Sequence, residues 1–218
     1  MTPILAAFLW QTIGLRVGIV AGALVIWFWT QSLIGRKAVA KDGLADVIHD
    51  ITARWHRYLA ANSRAANRSL IISSLFIDVT GLALIGAAIF GHTFAPFLSI
   101  IILFSMRQVC QSLCTLPPPP GNLWRDPGFP SLLVTYGVSN DLFFSGHTGL
   151  AVLGAIHAAH SGPMWLAVAA GVIAFGQAVL VLVLRAHYTL DVIAGAFAAF
   201  LAANLAAMLT PSLDAWLR

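Results

Sequence analysis

The stretch Arg185-Ala-His187-Tyr188-Thr189-Leu190-Asp191 spans the junction of two long apolar segments, at about 164–185 and 188–209. Ionisable side chains at membrane depth are costly, so their presence beside such segments indicates a functional site. His187 and Asp191 are four residues apart, which on a helix places them on one face, where a carboxylate can orient an imidazole. This pair is typical of nucleophilic or acid–base chemistry.

The composition of the 218-residue chain predicts a polytopic membrane protein. Hydrophobic residues make up 59% of the sequence and charged residues only 9%, whereas a soluble domain carries about 25% charged residues. Twelve Lys and Arg against eight Asp and Glu give a net charge of +4. In a membrane protein this excess indicates contact with anionic headgroups or phosphate-bearing ligands. It is poor support for nucleic acid as a partner, because the basic residues are not interleaved with exposed aromatics.

Apolar segments of membrane-spanning length predict an all-α fold, a six-transmembrane-helix bundle. The segments lie at about 12–34, 70–90, 95–115, 146–161, 164–185 and 188–209. Most approach the roughly 20 residues needed to cross the hydrocarbon core, and the fourth is short. We expect a single domain over residues 1–218. The compact, alanine-rich chain favours an integral multi-pass protein of the bacterial cytoplasmic membrane.

Two hydrophilic stretches interrupt the apolar segments. The first, about 35–69, contains seven Lys and Arg. Its middle part, 44–59, has apolar residues at helical spacing, which predicts an amphipathic helix lying at the membrane interface, with a solvated connector as the alternative. The second, about 115–144, is rich in proline, which favours an ordered, extended loop. Because this loop leads into Ser145-Gly146-His147, we expect it to form one wall of the site.

Three ordered sequence blocks carry a resemblance to a known family. They are Arg107 followed by Leu116-Pro117, then Asp141-Leu-Phe-Phe-Ser145-Gly146-His147-Thr148, then Arg185-Ala-His187-Tyr188-Thr189-Leu190-Asp191-Val192. Over about residues 100–210 the chain is similar to the sphingomyelin-synthase-like branch of the type 2 phosphatidic acid phosphatase (PAP2) superfamily. The phosphatase signature Lys-x6-Arg-Pro is missing, and Val181 stands where its second arginine would fall. These departures favour the transferase-like branch.

The resemblance implies a phosphotransferase that moves a phosphorylated headgroup from a glycerophospholipid to a lipid alcohol, either ceramide or diacylglycerol. The implied catalytic residues are His187, Asp191 and His147. His187 would attack phosphorus to give a phosphohistidine, and Asp191 would fix the imidazole tautomer. His147 would protonate the departing lipid alcohol and then act as a base on the incoming one.

The resemblance also implies groups that hold the phosphate. Arg107 and Arg185 would bind the phosphoryl oxygens, because guanidinium groups match them. Ser145 and Gly146, at the start of the fourth helix, would bring backbone N–H donors to the same oxygens. Further candidates for contacts with the headgroup or the loop are Asp141, Tyr188 and Trp124. No metal or other cofactor is expected, because no carboxylate cluster that would hold Mg²⁺ is evident in the sequence.

Other functions stay open from the sequence. With water as the acceptor, the same residues would make a lipid phosphatase or a phospholipase C. A proton-coupled membrane carrier would use His147, His187 and Asp191 as a relay, although the segments show no matching halves of the kind that inverted repeats produce. The identity of the headgroup stays open, as does the oligomeric state, with a homo-oligomer among the alternatives.

Two indications disagree about the membrane face that carries the site. With six crossings, all the motif residues lie on the face of the basic connector, whereas the opposite face has only Arg16 and Arg218. The positive-inside rule therefore assigns the site to the cytoplasmic face. The family resemblance implies the non-cytoplasmic face instead, so both orientations stay open.

Overall fold

A computed structural model describes residues 3–36, 44–134, 136 and 142–217. These residues form eight α-helices and, among them, no β-strand, which confirms the all-α class for the described part of the chain. The helices are α1 Pro3–Ile34, α2 Val47–Ile51, α3 Ala53–Ala61, α4 Ser63–Phe90, α5 Ala95–Leu113, α6 Gly146–Ser161, α7 Met164–Val183 and α8 Thr189–Trp216.

Five of these helices are long and apolar enough to cross a membrane, namely α1, α4, α5, α7 and α8. The remaining long helix, α6, has 16 residues and is therefore about 24 Å long, which is shorter than the roughly 30 Å hydrocarbon core. The chain is thus an integral membrane protein built as a helical bundle. Whether the chain crosses the membrane six times depends on α6, so the number six stays a prediction. The location of the protein in the bacterial cytoplasmic membrane also stays a prediction.

The outer surface of the bundle is apolar. Large side chains such as Val25, Val79, Phe175 and Phe197 expose most of their surface. Monomeric soluble proteins rarely expose contiguous apolar patches of this kind, so lipid is the solvent that this surface fits. The buried centre lies between α4, α5, α6 and α8, where the side chains of Leu103, Leu153, Ala199 and Ala202 have no exposed surface.

Polar contacts tie the ends of the helices together. At one end of the bundle, Nη1 of Arg16 donates to the carbonyl oxygens of Ala88 and Gly91, at 3.2 and 3.0 Å. At the same end, the Asp214 carboxylate accepts a hydrogen bond from the Phe94 N–H at 2.9 Å, so the last residues of α8 pack on the first residues of α5. These two helices are therefore antiparallel, and the start of α8 lies near the end of α5.

The starts of α6 and α8 lie side by side at the opposite end. Ser145 caps α6, because its side chain accepts a hydrogen bond from the Thr148 N–H at 3.3 Å. At the start of α8 the N-cap residue is Tyr188, and its N–H donates to the side chain of Asp191, three residues further on, at 2.8 Å. Because α5 ends here while α6 and α8 begin here, the three sequence blocks meet at this one end of the bundle.

Candidate active site

His187 lies in the tight turn that joins α7 to α8. The turn is closed by hydrogen bonds from the Leu184 N–H to Leu180 and from the Ala186 N–H to Val181, both at 2.9 Å. Arg185 adopts a φ of +57°, in the left-handed region that residues other than glycine rarely occupy. A strained residue of this kind persists only where the surrounding structure holds it. The turn therefore fixes the position of the His187 backbone.

The His187 imidazole faces a buried carboxylate. Its Nδ1 atom lies 3.7 Å from Oδ2 of Asp191, which is itself completely buried. This distance is slightly longer than a hydrogen bond, and Oδ2 already accepts from the Tyr188 N–H. Among the described residues, neither Nδ1 of His187 nor Oδ1 of Asp191 has a hydrogen-bond partner. With Nδ1 turned towards Asp191, the other ring nitrogen of His187, Nε2, is the one that does not face the carboxylate.

His147, the second residue of α6, faces His187. The two imidazole centroids are 6.3 Å apart, and the indole of Trp124 stands edge-on to His147 at 4.8 Å. The Nε2 atom of His147 is buried, and no described residue is its hydrogen-bond partner. The two imidazoles are thus close enough to act on opposite sides of one bound group.

Arg107 reaches the same place from α5. It is almost completely buried, and its Nε donates to the carbonyl oxygen of Phe144 at 2.8 Å. A Cβ atom at Gly146 would lie only 3.1 Å from that Nε, so glycine at this position gives the guanidinium room to approach the first turn of α6. The positive charge, the helix N-terminus and the two imidazoles therefore meet in one place.

These groups line one end of a cavity of about 270 Å³. Arg107, Gly146, His147 and His187 lie at its polar end, next to Asn122 and Trp124 of the proline-rich loop. The rest of the lining is apolar and comes from α1, α4 and α5, including Leu24, Trp27, Ile77, Ile85, Phe97 and Ile101. Phe97 and Arg107 are ten residues apart on α5, so the cavity extends over about 15 Å along that helix.

Arg185 and Tyr188 point elsewhere. Nη2 of Arg185 donates to the carbonyl oxygen of His49 at 2.5 Å, and the Tyr188 hydroxyl accepts from the Leu44 N–H at 2.9 Å. Neither residue lines the cavity. Phosphate binding by Arg185 and headgroup contact by Tyr188 therefore stay predictions that the placement of these side chains does not support.

The other predicted contacts divide in the same way. Ser145 is fully buried, and its hydroxyl lies 3.1 Å from that of Thr148, so its side chain caps α6 and does not line the cavity. Gly146 and Trp124 do line it. Asp141 lies outside the described residues.

Within the described part of the chain, no group of three or more His, Cys, Asp or Glu side chains is arranged to hold a metal ion.

Sequence reasoning missed residues that build the walls of the cavity. Asn122 lines its polar end and accepts a hydrogen bond from the Trp124 N–H at 2.6 Å. Gln108 lines it on α5 and donates to the Thr30 hydroxyl of α1 at 2.6 Å. Asn122 belongs to no motif, but Gln108 follows Arg107 directly. An amide beside an arginine in an apolar segment is a signal that could have been used.

Asp78 holds the proline-rich loop in place. Its carboxylate accepts hydrogen bonds from the Ser131 hydroxyl and from the backbone N–H groups of Leu132 and Leu133, at 2.9 to 3.1 Å. Leu133 lines the cavity beside Gly81 of α4. An acidic residue inside an apolar helix therefore fixes one wall of the cavity.

Comparison with known proteins gives the class and then the family. The family model AtPDCT1/2 matches residues 45–208, a range that includes all the residues of the polar end. The chain is therefore an enzyme of the PAP2-like class, which contains lipid phosphotransferases and phosphatases. It belongs to the AtPDCT1/2 family, a PAP2-like phosphatidylcholine:diacylglycerol cholinephosphotransferase family. The sphingomyelin-synthase-like branch stays a prediction.

Among solved structures, that of LpxE from Aquifex aeolicus is similar to the chain. The identity is 14%, the TM-score is 0.43, and the match covers 82% of this chain and 92% of LpxE. No curated protein sequence matches the chain.

Proposed function

We propose that the chain is a membrane-embedded phosphotransferase, which moves a phosphorylated headgroup from a glycerophospholipid to a lipid alcohol, diacylglycerol or ceramide. The observation that carries this proposal is the shape of the cavity. One end holds Arg107, His147 and His187, and the other end is a slot lined by the apolar side chains of α1, α4 and α5. An amphipathic lipid with a phosphorylated headgroup fits both ends at once, and we treat residues 1–218 as one catalytic domain.

The chemistry proceeds in two displacements at phosphorus. Nε2 of His187 attacks, the bond from phosphorus to the donor's lipid oxygen breaks, and His147 gives that oxygen a proton. The acceptor alcohol then loses its proton to His147 and attacks the phosphohistidine, and the bond between phosphorus and His187 breaks. Asp191 holds the imidazole through Nδ1 and stabilises its positive charge. Arg107 neutralises the charge that develops on the nonbridging oxygens.

The headgroup that we favour is phosphocholine. Trp124 lines the polar end next to His147, and its indole is stacked on the Tyr136 ring at 5.3 Å. Aromatic rings attract quaternary ammonium groups, so this pair is a suitable contact for choline. The family to which the chain belongs, a cholinephosphotransferase family, supports the same choice.

The test is mass spectrometry of the lipids made by the purified protein. Wild type and His187→Ala are incubated with phosphatidylcholine, phosphatidylethanolamine and phosphatidylinositol, with and without diacylglycerol or ceramide, in the presence of a chelator. The matched control is His160→Ala, because His160 is exposed at the end of α6 that is far from the cavity. We expect wild type and His160→Ala to transfer phosphocholine to the acceptor lipid and His187→Ala to make no product.

Other results would lead to other conclusions. Diacylglycerol together with free phosphocholine, or free phosphate, would show that water is the acceptor and that the enzyme is a hydrolase. Turnover that survives in His187→Ala would contradict the phosphohistidine. No product from any donor, with a substrate-dependent ion flux that survives in His187→Ala, would favour a proton-coupled carrier.

A further inference from the structure

The short helices α2 and α3 turn their polar side towards the protein. His49 and Thr52 are almost completely buried, and His49 faces the turn that carries His187 together with the half-buried His56. Most of the large apolar side chains of the same segment point away from the bundle, whereas Ile48 and Leu59 pack against it. They form an outward stripe at helical spacing, which consists of Leu44, Val47, Ile51, Trp55 and Tyr58, each 49% to 72% exposed.

The buried side of α2 and α3 is bonded to the backbone of the catalytic turn, which is the turn between α7 and α8 that carries His187. Nε2 of His49 donates to the carbonyl oxygen of His187 at 2.9 Å, because a carbonyl oxygen can only accept. Nδ1 of His56 donates in the same way to the carbonyl oxygen of Val183, also at 2.9 Å. In the opposite direction, Arg185 donates to the His49 carbonyl oxygen. The segment formed by α2 and α3 thus holds the turn on both sides of the strained residue Arg185.

Asp46 links the starts of α2 and α8. Its carboxylate accepts from the Ile48 and His49 N–H groups of α2, at 3.0 and 3.2 Å. It also accepts from the Thr189 N–H and hydroxyl, at 2.5 and 2.8 Å. Partial burial acts to raise the pKa of Asp46, but the hydrogen bonds from Thr189 and His49 outweigh it and lower this pKa. A carboxylate that stays charged therefore joins the connector to the residue that begins α8.

The outward stripe fits the interfacial region of the bilayer. The flanking residues Arg54 and Arg57 are exposed, and cations at this position match anionic headgroups. The segment is also continuous with the membrane, because α3 ends at Ala61 and the membrane-spanning α4 begins at Ser63. An apolar stripe with basic neighbours at the edge of a membrane helix is typical of a helix that lies in the interface.

We propose that α2 and α3 form a brace between the bilayer surface and the catalytic turn, in which His49 is a positioning residue for His187. The outward stripe inserts below the anionic headgroups, and the buried His49 and the half-buried His56 hold the turn against Asp191 and the cavity. His49 acts through the His187 backbone and does not touch the substrate. The kinetic part of this inference rests on the function proposed above, whereas the insertion of the stripe does not.

The kinetic test compares His49→Ala, His49→Gln and the matched variant His56→Ala. We expect His49→Ala to lower kcat by about 10- to 100-fold, because loss of the bond to its backbone lets His187 move, and a misplacement of about 1 Å can cost roughly 100-fold; little change in KM is expected. His49→Gln keeps a side-chain N–H and is expected to recover most of kcat. His56→Ala removes a hydrogen bond of equal length, but that bond ends on Val183, which is four residues from His187. The kcat of this variant is therefore expected to stay closer to that of wild type.

A purely structural role of His49 predicts a different pattern of kcat and thermal stability among the three variants. Losses in kcat that are equal for His49→Ala and His49→Gln, or that match the loss of thermal stability in all three variants, would overturn the positioning role. An unchanged kcat in His49→Ala would do the same.

The insertion test needs no turnover. Cys110 and Cys114 are replaced by serine, and a fluorophore is attached to Val47→Cys or to the control Ala60→Cys, which is exposed but outside the outward stripe. In vesicles of phosphatidylglycerol and brominated phosphatidylcholine, we expect bromine to quench the label at Val47 much more than the label at Ala60. Equal quenching at both positions would overturn the brace. If wild type makes no lipid product while Val47 is quenched, the proposed function fails and the insertion stands.

Discussion

The backbone N–H of Ser145 donates a hydrogen bond to the carbonyl oxygen of Asp191 at 3.0 Å. This bond joins the start of α6, which carries His147, to the start of α8, which directly follows the turn that carries His187. The contact is close because of Gly195 on α8, where a Cβ atom would lie 2.5 Å from the Ser145 carbonyl oxygen. The spacing between His147 and His187 therefore depends on a glycine that is one turn away from Asp191.

Gly195→Ala is expected to push α6 away from α8, because the new methyl group would meet backbone that cannot rotate away. We expect a loss of unfolding free energy of about 1–3 kcal/mol, typical of overpacking, and a clear fall in kcat. The control is Gly171→Ala on α7, where a Cβ atom would meet nothing within 4 Å. Thermal unfolding in detergent and turnover measure both effects. A Gly195→Ala protein as stable and active as Gly171→Ala would contradict this packing.

Arg107→Lys keeps the positive charge but loses the planar guanidinium fork, whose geometry matches two phosphoryl oxygens at once. We expect kcat to fall about 100- to 1,000-fold, the range seen when one preorganised donor to the transition state is lost. Arg16→Lys is the matched control, since Arg16 is equally buried but lies at the opposite end of the bundle. Initial rates of headgroup transfer provide the measurement. Full activity of Arg107→Lys would contradict the proposed role of Arg107 in binding the phosphoryl oxygens.

Ala23→Phe should shorten the apolar part of the cavity. Ala23 lines the cavity from α1 and packs near Phe97, far from the imidazoles. We expect the variant to prefer donors with short acyl chains over donors with long ones by about 10-fold or more, because the lost space excludes terminal methylene groups. Val25→Phe is the control, because Val25 is on the same helix but exposed outside the cavity. Competition between donors of one headgroup and several chain lengths tests this, and identical profiles would refute it.

Acid is expected to loosen the brace through His49. Burial is the main reason that the pKa of the His49 imidazole is below its ordinary value, and the charge of Arg185 acts in the same direction. The hydrogen bond to the His187 carbonyl oxygen and the Asp46 carboxylate oppose this shift, and His56 contributes a smaller lowering.

The sign of the pH effect follows from this lowered pKa. Unfolded His49 binds a proton near pH 6.5, whereas folded His49 does so only at lower pH. Its contribution to stability is therefore complete above pH 6.5 and is lost as the pH falls towards the folded pKa. Thermal unfolding of wild type and His49→Gln, followed above and below pH 6.5, measures it. We expect the wild-type midpoint to fall more steeply on acidification, and parallel curves would contradict the expectation.

Much of the bundle could be predicted from the sequence, because apolar segments of the right length are a direct consequence of the solvent that surrounds them. The ranges 95–115, 146–161 and 164–185 lie within two residues of α5, α6 and α7. The start of α4 was placed too late, at 70 instead of Ser63. Its first turns carry Arg64, Asn67 and Arg68, so polar composition hid the helix from a search for apolar runs.

The site was predicted in part. The spacing of His187 and Asp191 predicted that they face each other, as they do at 3.7 Å, although His187 lies in the turn before α8 and not on the helix as expected. The direction of Arg185 was not predictable, since its partner is a backbone carbonyl 136 positions away. The roles of His49 and Asp46 were missed for the same reason. His49 bonds to the backbone of His187 and Asp46 to the backbone of Thr189. Every residue type has these backbone groups, so a search for motifs of residue types cannot detect such bonds.

The polar end of the cavity lies at the end of the bundle where α5 ends and where α6 and α8 begin. Under the proposed function, a lipid of the nearer leaflet brings its headgroup to His187 without leaving its own monolayer, whereas a lipid of the farther leaflet must first flip. Each transfer then changes the composition of a single monolayer. An enzyme that works in this way creates transverse asymmetry in its membrane, and flipping of lipids between the monolayers sets how long that asymmetry lasts.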